Sequence, residues 1–534
     1  MKSKERERRH VRTSSHPRVS PEKRCSKSTN PNGRHMTKVP SVLSTHPLDS
    51  MISTVEEILG PTEIQQPRNS WDCTFLRPVD PLPFDTYQFL DRKGAFRIPI
   101  APVRGEILVA YIKWVHPLCP LFDLAEFLDD VVKSREGRSP SPLLYQAVLF
   151  AGSAFVDSCI VQEGGYTSRR EMRKSLFEKT KWLYILDTES DAVRQIQALL
   201  LMTHWHEVED DSHKDPDYWL SLAHGKAQAA GLYPPFDRHQ HLSIKFQRRL
   251  WSCLYLRDRL ISLGVRRPPR IQDSPAPIIE IEDLNIEAYS SDIQDALPYS
   301  TARFLTPEFQ AHSNLLYIEK IKLAACVGEI LDGLFQLSLT HHPNDHSPSL
   351  TLIPAQPSPA PAIQKCSFLL QSWFESLPGA ARFYPPFPDL PHDSDSASTV
   401  LLIHQADIYL LYLAAMAAFY LCLRSAVHAE TRLRNIASEI TKTISELRSA
   451  RLQLYLPGTS ITVLLFATAT HLLDLASASG AAYSSSLLLL KECAESAEEL
   501  GEIYPRASLV VSFTSAGLEK YSRNTAMSGR SHRI

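Results

Sequence analysis

The sequence predicts an all-α protein, and three observations favour this class. Only 19 of the 534 residues are glycine, about half the usual share of roughly 7%, whereas parallel α/β enzymes use glycine in phosphate loops and tight turns. Apolar residues recur at spacings of three and four, the period of a helix, and no run shows the sustained period-two alternation of a strand. The 38 prolines gather between these periodic segments.

The first 45 residues are predicted to be a disordered basic tail. Residues 1–40 hold 12 Lys and Arg against three Glu, which leaves a net charge of +9. With so few apolar side chains, this segment cannot offset the entropy cost of ordering. Two interpretations of its arginines stay open, a solvated end or a patch for nuclear import or nucleic acid. The patch would consist of Arg6, Arg8, Arg9 and Arg12.

The first helical region follows a linker, residues 46–104, in which a short helix is predicted near 49–59. The core domain covers 105–285. Its helix starts carry capping residues, such as Ser141 before Pro142 and Asp215 before Pro216. Gly264 is predicted to end the last of these helices. The predicted helices lie near 106–116, 124–134, 141–157, 168–187, 190–205, 215–231 and 245–263.

The second helical region is predicted to pack against the first. Residues 286–340 continue the domain with a helix near 308–338. Residues 341–362, rich in Pro and Ser, are predicted to be a flexible linker. The C-terminal part covers 363–522, and residues 523–534 are predicted to be a disordered tail. Its helices are predicted near 363–377, 398–427, 431–452, 458–478, 485–503 and 506–522.

No motif in the sequence predicts an enzyme, a cofactor or a metal site. The phosphate-loop and nucleophile motifs G-x-x-x-x-G-K-[ST], G-x-G-x-x-G and G-x-S-x-G are not found in a credible context. HWHE, residues 204–207, places its histidines two apart, whereas a zinc pair on a helix uses a spacing of four. Nine scattered cysteines with no C-x-x-C pair indicate reduced thiols in an intracellular protein. The longest apolar run, 408–423, is too short for a bilayer and predicts a core helix.

The densest chemical passage is RRLWSCLYLRDRLISLGVRRPPRIQD, residues 248–273. On a helix its basic residues surround an apolar surface instead of forming one face, and Asp258 lies among them. Pairing of Arg with Asp inside a bundle fits this pattern better than a stripe that binds phosphates.

This passage resembles the signature of the regulatory domain of fungal-specific transcription factors, the middle homology region of zinc-cluster regulators. VHPLCPLFDLAEF (115–127), ALLLMTHW (198–205) and YWLSLAHGKAQAAGLY (218–233) resemble other parts of that domain in the same order. The subtype is most similar to cutinase- and acetamidase-type regulators. The signature positions are occupied by Arg248, Arg249, Trp251, Arg257, Asp258, Arg259, Leu263, Gly264, Arg267, Pro268 and Ile271.

The resemblance implies a nuclear transcription regulator of a metabolic pathway or gene cluster, not an enzyme. It implies partners: DNA, reached directly or through a partner factor, the transcription machinery, and a second subunit in a homodimer or heterodimer. No membrane partner is expected. It also implies that Trp251, Arg257, Asp258 and Arg259 form a structural anchor, with arginines bridging to acidic residues of neighbouring helices.

One departure from the family is large. Zinc-cluster regulators hold two zinc ions with six cysteines, but only Cys25 and Cys73 precede residue 105 here. No zinc is therefore expected in this chain. Two interpretations follow: the cluster is encoded outside the given sequence, or the protein does not bind DNA itself and acts by pairing with a zinc-cluster factor.

Overall fold

Helices form nearly all of the ordered architecture. The computed structural model describes residues 76, 82–133, 139–206, 214–236, 242–272, 276–341, 348–384, 396–423, 428–477 and 481–531. Within these residues one two-stranded sheet accompanies the helices, so the predicted all-α class is confirmed. The short helix expected near 49–59 lies outside the described residues.

The first half of the chain contains nine α-helices within the described residues. Helix α4 packs against α2, α6 and α7, helix α6 also contacts α7, and α8 contacts both α7 and α9. Their bounds are Phe84–Arg92 (α1), Ala101–Trp114 (α2), Leu124–Lys133 (α3), Pro142–Gly152 (α4), Ser158–Glu163 (α5), Arg169–Ile185 (α6), Ala192–Met202 (α7), Pro216–Ala229 (α8) and Ile244–Val265 (α9).

The second half packs against the first through α9 and the long helix that follows it. That helix, α11, contacts α9 on one side and α12 and α13 on the other, and α13–α17 pack in sequence. The bounds are Ser291–Ala296 (α10), Pro307–Leu334 (α11), Phe335–His341 (β1), Pro348–Pro354 (β2), Ala360–Ser376 (α12), Ala397–Cys422 (α13), Ala429–Ser449 (α14), Thr459–Ser477 (α15), Ala481–Leu500 (α16) and Ser508–Ser531 (α17).

Local capping chemistry explains where several helices begin. The side chain of Ser141 accepts a hydrogen bond from the Leu144 amide at the start of α4, and Asp215 accepts one from the Tyr218 amide at the start of α8. Both side chains satisfy amides that have no partner within the helix. The predicted starts at these two residues are confirmed.

Helix α9 ends two residues later than the predicted range 245–263. It continues to Val265, and Arg266 takes the left-handed conformation that ends it, with φ of 57°. Gly264 has another role, because a Cβ at this position would lie 2.6 Å from Thr462 Oγ1 of α15. The glycine therefore permits close approach of two helices instead of ending one of them.

Within the predicted flexible linker at 341–362, most of the described residues form regular secondary structure, which the sequence analysis did not predict. Strands β1 and β2 pair antiparallel, with Leu337 opposite Leu352, and the Leu352 amide donates to the Arg266 carbonyl at 2.6 Å. Helix α11 correspondingly ends at Leu334. Alternating leucines on both sides of the turn support the strands, but the high proline and serine content obscured this short pattern. Residues 342–347 lie outside the described residues.

Two other predicted boundaries differ from the structure. Within the predicted 46–104 linker, α1 packs on the core, with Leu90 fully buried and Phe89 in edge contact with Trp182. At the other end, α17 continues to Ser531 where a disordered tail was predicted. Once a helix is formed, each added residue gains a hydrogen bond at little cost, so α17 extends beyond its apolar pattern.

In the described part of the chain, two helices are long and apolar enough to cross a bilayer by length and composition alone, Ala397–Cys422 and Thr459–Ala476. In the first, 67% of the apolar window is buried against the rest of the protein, and in the second 44%. Core helices pass the same test, so this observation is weak evidence for a membrane span.

Candidate functional site

Helix α9 lies in the interior between α8, α11 and α15. The side chains of Trp251, Asp258 and Arg259 are buried, each with 3% or less of its surface exposed. The indole Nε1 of Trp251 has no hydrogen-bond partner among the described residues. The passage singled out from the sequence is therefore largely enclosed by protein.

Asp258 holds the segment that follows α9, at residues 270–271, against the helix. Its carboxylate accepts from Arg259 Nη1 at 2.6 Å, from the Arg270 amide at 2.9 Å and from the Ile271 amide at 3.3 Å. Arg259 in turn donates to the Ile271 carbonyl at 2.7 Å and lies over the ring of Tyr255. We call Asp258, Arg259 and the backbone of 270–271 the α9 clasp.

The α9 clasp keeps a charged pair in a poorly solvated place. Burial raises the pKa of Asp258, and the opposite charge of Arg259 and the two backbone amides act against that rise. Hydrogen bonds to the charged form are what allow a buried carboxylate to stay ionised. The clasp is thus mutually dependent, because removal of one charge would leave the other buried without a partner.

Arg257 differs from the neighbouring arginines because its hydrogen-bond partners are neutral groups of Thr203. It donates to Thr203 Oγ1 at 2.6 Å and to the Thr203 carbonyl at 2.7 Å, at the C-terminal end of α7. Its hydrogen-bond partners among the described residues are neutral, so the expected bridge from Arg257 to an acidic residue is not seen in the described part of the chain. A cation at a helix C-terminus satisfies a carbonyl left without a partner in the helix and is favoured by the helix dipole.

Four of the five remaining arginines of this passage are paired with carboxylates from other elements, whereas Arg266 lies over the rings of Phe335 and Phe466. These contacts leave no stripe of free cations along α9 within the described residues, which argues against a phosphate-binding face. The pairs are Arg248 with Asp283 at 3.5 Å, Arg249 with Asp123 at 2.7 Å, Arg267 with Asp215 at 2.8 Å and with Asp217 at 3.0 Å, and Arg270 with Asp217 at 2.6 Å.

Two segments outside α9 were considered in the sequence analysis, the arginine patch of the basic tail and HWHE, and only HWHE has described residues. Arg6, Arg8, Arg9 and Arg12 lie outside the described residues, so the import or nucleic-acid patch stays a prediction. In HWHE, burial and the nearby cations of Arg257 and Arg173 lower the pKa of His204 well below its usual value.

The described residues do not fit the zinc cluster of the resembled family. None of them forms a group of three or more His, Cys, Asp or Glu side chains able to hold a metal ion. Cys25 and Cys73 lie outside the described residues. The expectation that this chain holds no zinc therefore stays a prediction, which elemental analysis can test.

Sequence reasoning missed a second buried ion pair. Lys320 of α11 contacts Asp407 of α13, and Asp407 also accepts from Thr459 Oγ1 at 3.1 Å. Both charged side chains are about 4% exposed. The available signal was a single charge within an otherwise apolar helix, as in ADIYLLY, because such a charge requires a partner.

The fold and the clasp define a helical domain organised around one buried, highly charged helix. Residues 108–377 match the model of the family described as "Fungal specific transcription factor domain". The chain belongs to this family, and the resemblance carried by α9 is confirmed.

Similar proteins agree with this assignment. The chain is 32% identical over 471 residues to "Cutinase transcription factor 1 beta" of Fusarium vanettenii, covering 84% of this chain and 53% of that protein. It is 29% identical over 462 residues to "Transcription factor cpaR" of Aspergillus oryzae, covering 81% and 74%. An "Acetamidase regulatory protein" of Aspergillus oryzae (strain ATCC 42149 / RIB 40) is 26% identical over 205 residues, covering 38% and 25%. The chain thus spans about half the length of the cutinase regulator.

Proposed function

We propose that this protein regulates transcription of metabolic or gene-cluster genes in a fungal nucleus. The observation that carries the proposal is the family match over residues 108–377, which includes α9. The names of the relatives support it, since they describe regulators of cutinase and acetamidase genes. In this proposal the helical domain is the regulatory part, and the α9 clasp maintains its shape.

A tethering experiment tests the regulatory activity directly. The full chain is fused to an unrelated DNA-binding module, and a reporter carrying that module's site is measured in a fungal host. We expect the reporter output to change relative to the module alone. An unchanged reporter, together with an unchanged transcript profile after deletion of the gene, would contradict the proposal.

The route to DNA is the second part of the proposal. The given sequence holds only two cysteines before residue 105, so two routes stay open: contact with DNA through a partner factor, or through a zinc cluster encoded outside the given sequence. We expect purified protein to hold less than one zinc per chain after dialysis, because tightly held zinc needs a set of deprotonated ligands. Two zincs per chain by elemental analysis would contradict this expectation and favour direct binding.

The basic tail has its own test. Deleting residues 1–40 removes a net charge of +9. If the tail supplies nuclear import or electrostatic DNA contact, a fluorescent fusion should leave the nucleus or lose salt-sensitive retention. If the deletion leaves both the nuclear location and the salt-sensitive DNA retention unchanged, the tail is only a solvated end of the chain.

A further inference from the structure

Two small cavities adjoin each other in the interior where α9 faces the C-terminal helices. Each has a volume of about 60 Å³, several times the roughly 10–15 Å³ needed for one water. Both are lined by Arg257, Leu260, Thr459 and Tyr504. The walls therefore come from α9, α15 and the segment between α16 and α17, three elements distant in the sequence.

The charge of this cavity pair is strongly one-sided. Four cationic side chains line it, and none of the described lining residues is Asp or Glu. Lys320 is neutralised by Asp407. The other three have no carboxylate within ion-pair distance in the described part of the chain. They are Arg173 of α6, Arg257 of α9 and Arg506 of the short Pro505–Ala507 helix.

The geometry of Arg173 and Arg257 holds both guanidinium groups in place and leaves donors unused. Arg173 donates to the carbonyls of Ile503 and His204, but its buried Nε has no partner among the described residues. Arg257 uses Nε and Nη2 on Thr203, and no described acceptor is bonded to its Nη1.

The position of Arg173 is also fixed by aromatic rings. Its guanidinium lies 5.2 Å from the ring centroids of Phe150, Trp205 and Tyr504. Such contacts orient the cation and stabilise it in part, but they supply no negative charge.

Burial without a counter-charge is costly for these groups. Desolvation lowers the pKa of both Arg173 and Arg257 to about 10, so both remain protonated near neutral pH. The low pKa of His204, caused by burial and by the cations of Arg257, Arg173 and Lys320, reports the same positive field. A buried charge without a partner costs several kcal/mol, and this cost is removed if an anion occupies the cavity.

We propose that this cavity pair binds one small organic oxyanion, whose carboxylate or phosphate group lies between Arg257, Arg173 and Arg506. A guanidinium donates two parallel hydrogen bonds to such groups. The apolar wall, which includes Leu118, Phe155 and Leu256, accommodates a short hydrocarbon part. Because the ligand would contact distant elements, it stabilises their packing. The proposal concerns binding and does not depend on the proposed transcriptional activity.

The test uses the purified full chain and two probes, sodium propionate for the carboxylate and sodium phosphate for the phosphate. Each is compared with sodium chloride at equal ionic strength. We expect at least one probe to raise the Tm in a saturable manner, because a ligand that binds only the folded state stabilises it by RT ln(1 + [L]/Kd). Isothermal titration should give one site per chain, and the stronger probe identifies the oxyanion class.

Two variants and a matched control locate the site. We expect Arg257→Gln and Arg506→Gln each to weaken binding at least tenfold. Arg506→Gln is the safer variant because this side chain is only partly buried. The control is Arg432→Gln, which removes the same charge from an exposed position on α14 and should leave the dissociation constant unchanged.

Two results would overturn the proposal. One is the absence of any stabilisation beyond that of sodium chloride for both probes. The other is equal binding by wild type and Arg506→Gln.

Discussion

Replacement of Asp258 by alanine tests the anchor role of α9 most directly. The change removes the carboxylate that accepts from Arg259 Nη1 at 2.6 Å and from the amides of Arg270 and Ile271. Arg259, with 3% of its side chain exposed, would keep its charge without a counter-ion. Loss of one partner from a buried pair costs about 3–5 kcal/mol. The two amides add roughly 1–3 kcal/mol each unless water reaches them.

We therefore expect Asp258→Ala to lower the free energy of unfolding by at least about 4 kcal/mol, which is the loss from the ion pair alone when water reaches the two amides, measured by urea denaturation. Asp295→Ala, at an exposed position on α10, is the matched control and should stay within about 0.5 kcal/mol of wild type. In cells, the protein level and the reporter output should fall together. If Asp258→Ala unfolds like wild type while the reporter output changes, α9 is a functional surface and the anchor interpretation fails.

Three further predictions follow from close packing, buried charge and buried histidines. Gly264→Ala should lower the free energy of unfolding by about 1–3 kcal/mol, because the new Cβ would lie 2.6 Å from Thr462 Oγ1. The double variant Gly264→Ala/Thr462→Ala should recover most of this loss, and an equal loss in the single and the double variant would contradict the contact. Lys320→Met should lower the free energy of unfolding by about 3–5 kcal/mol, because it leaves the buried Asp407 without its partner, and adding Asp407→Leu should restore most of this stability. In the double-mutant cycle, simple additivity of the two losses would disprove the coupling. Burial lowers the pKa of His471 to about 4, so below pH 6.5 the unfolded state binds a proton that the folded state does not bind. Between pH 7.5 and 5.0 this residue should lower the free energy of unfolding by about 2 kcal/mol. Urea denaturation of His471→Gln should show a correspondingly smaller loss of stability over this pH range.

Much of the helical architecture could be predicted because its signals are local. Ser141 and Asp215 lie three residues from the amides that they cap, and an apolar face repeats within a single helix. Local signals failed where two weak patterns competed. The leucine alternation of β1 and β2 was hidden by proline and serine, and the helical continuation of α17 to Ser531 had no apolar period to mark it.

The sequence by itself determined the all-α class, most helix starts and the family, because these depend on composition, on short-range periodicity and on one dense motif. The tertiary structure decided which partner each buried charge has. Arg257 meets Thr203, 54 residues away, and Lys320 meets Asp407, 87 residues away. A buried charge in a sequence requires compensation, but only chain packing brings a particular oxygen within hydrogen-bond distance. The same packing places Arg173, Arg257 and Arg506 around two adjoining cavities without a described carboxylate in their walls, which no local pattern could indicate.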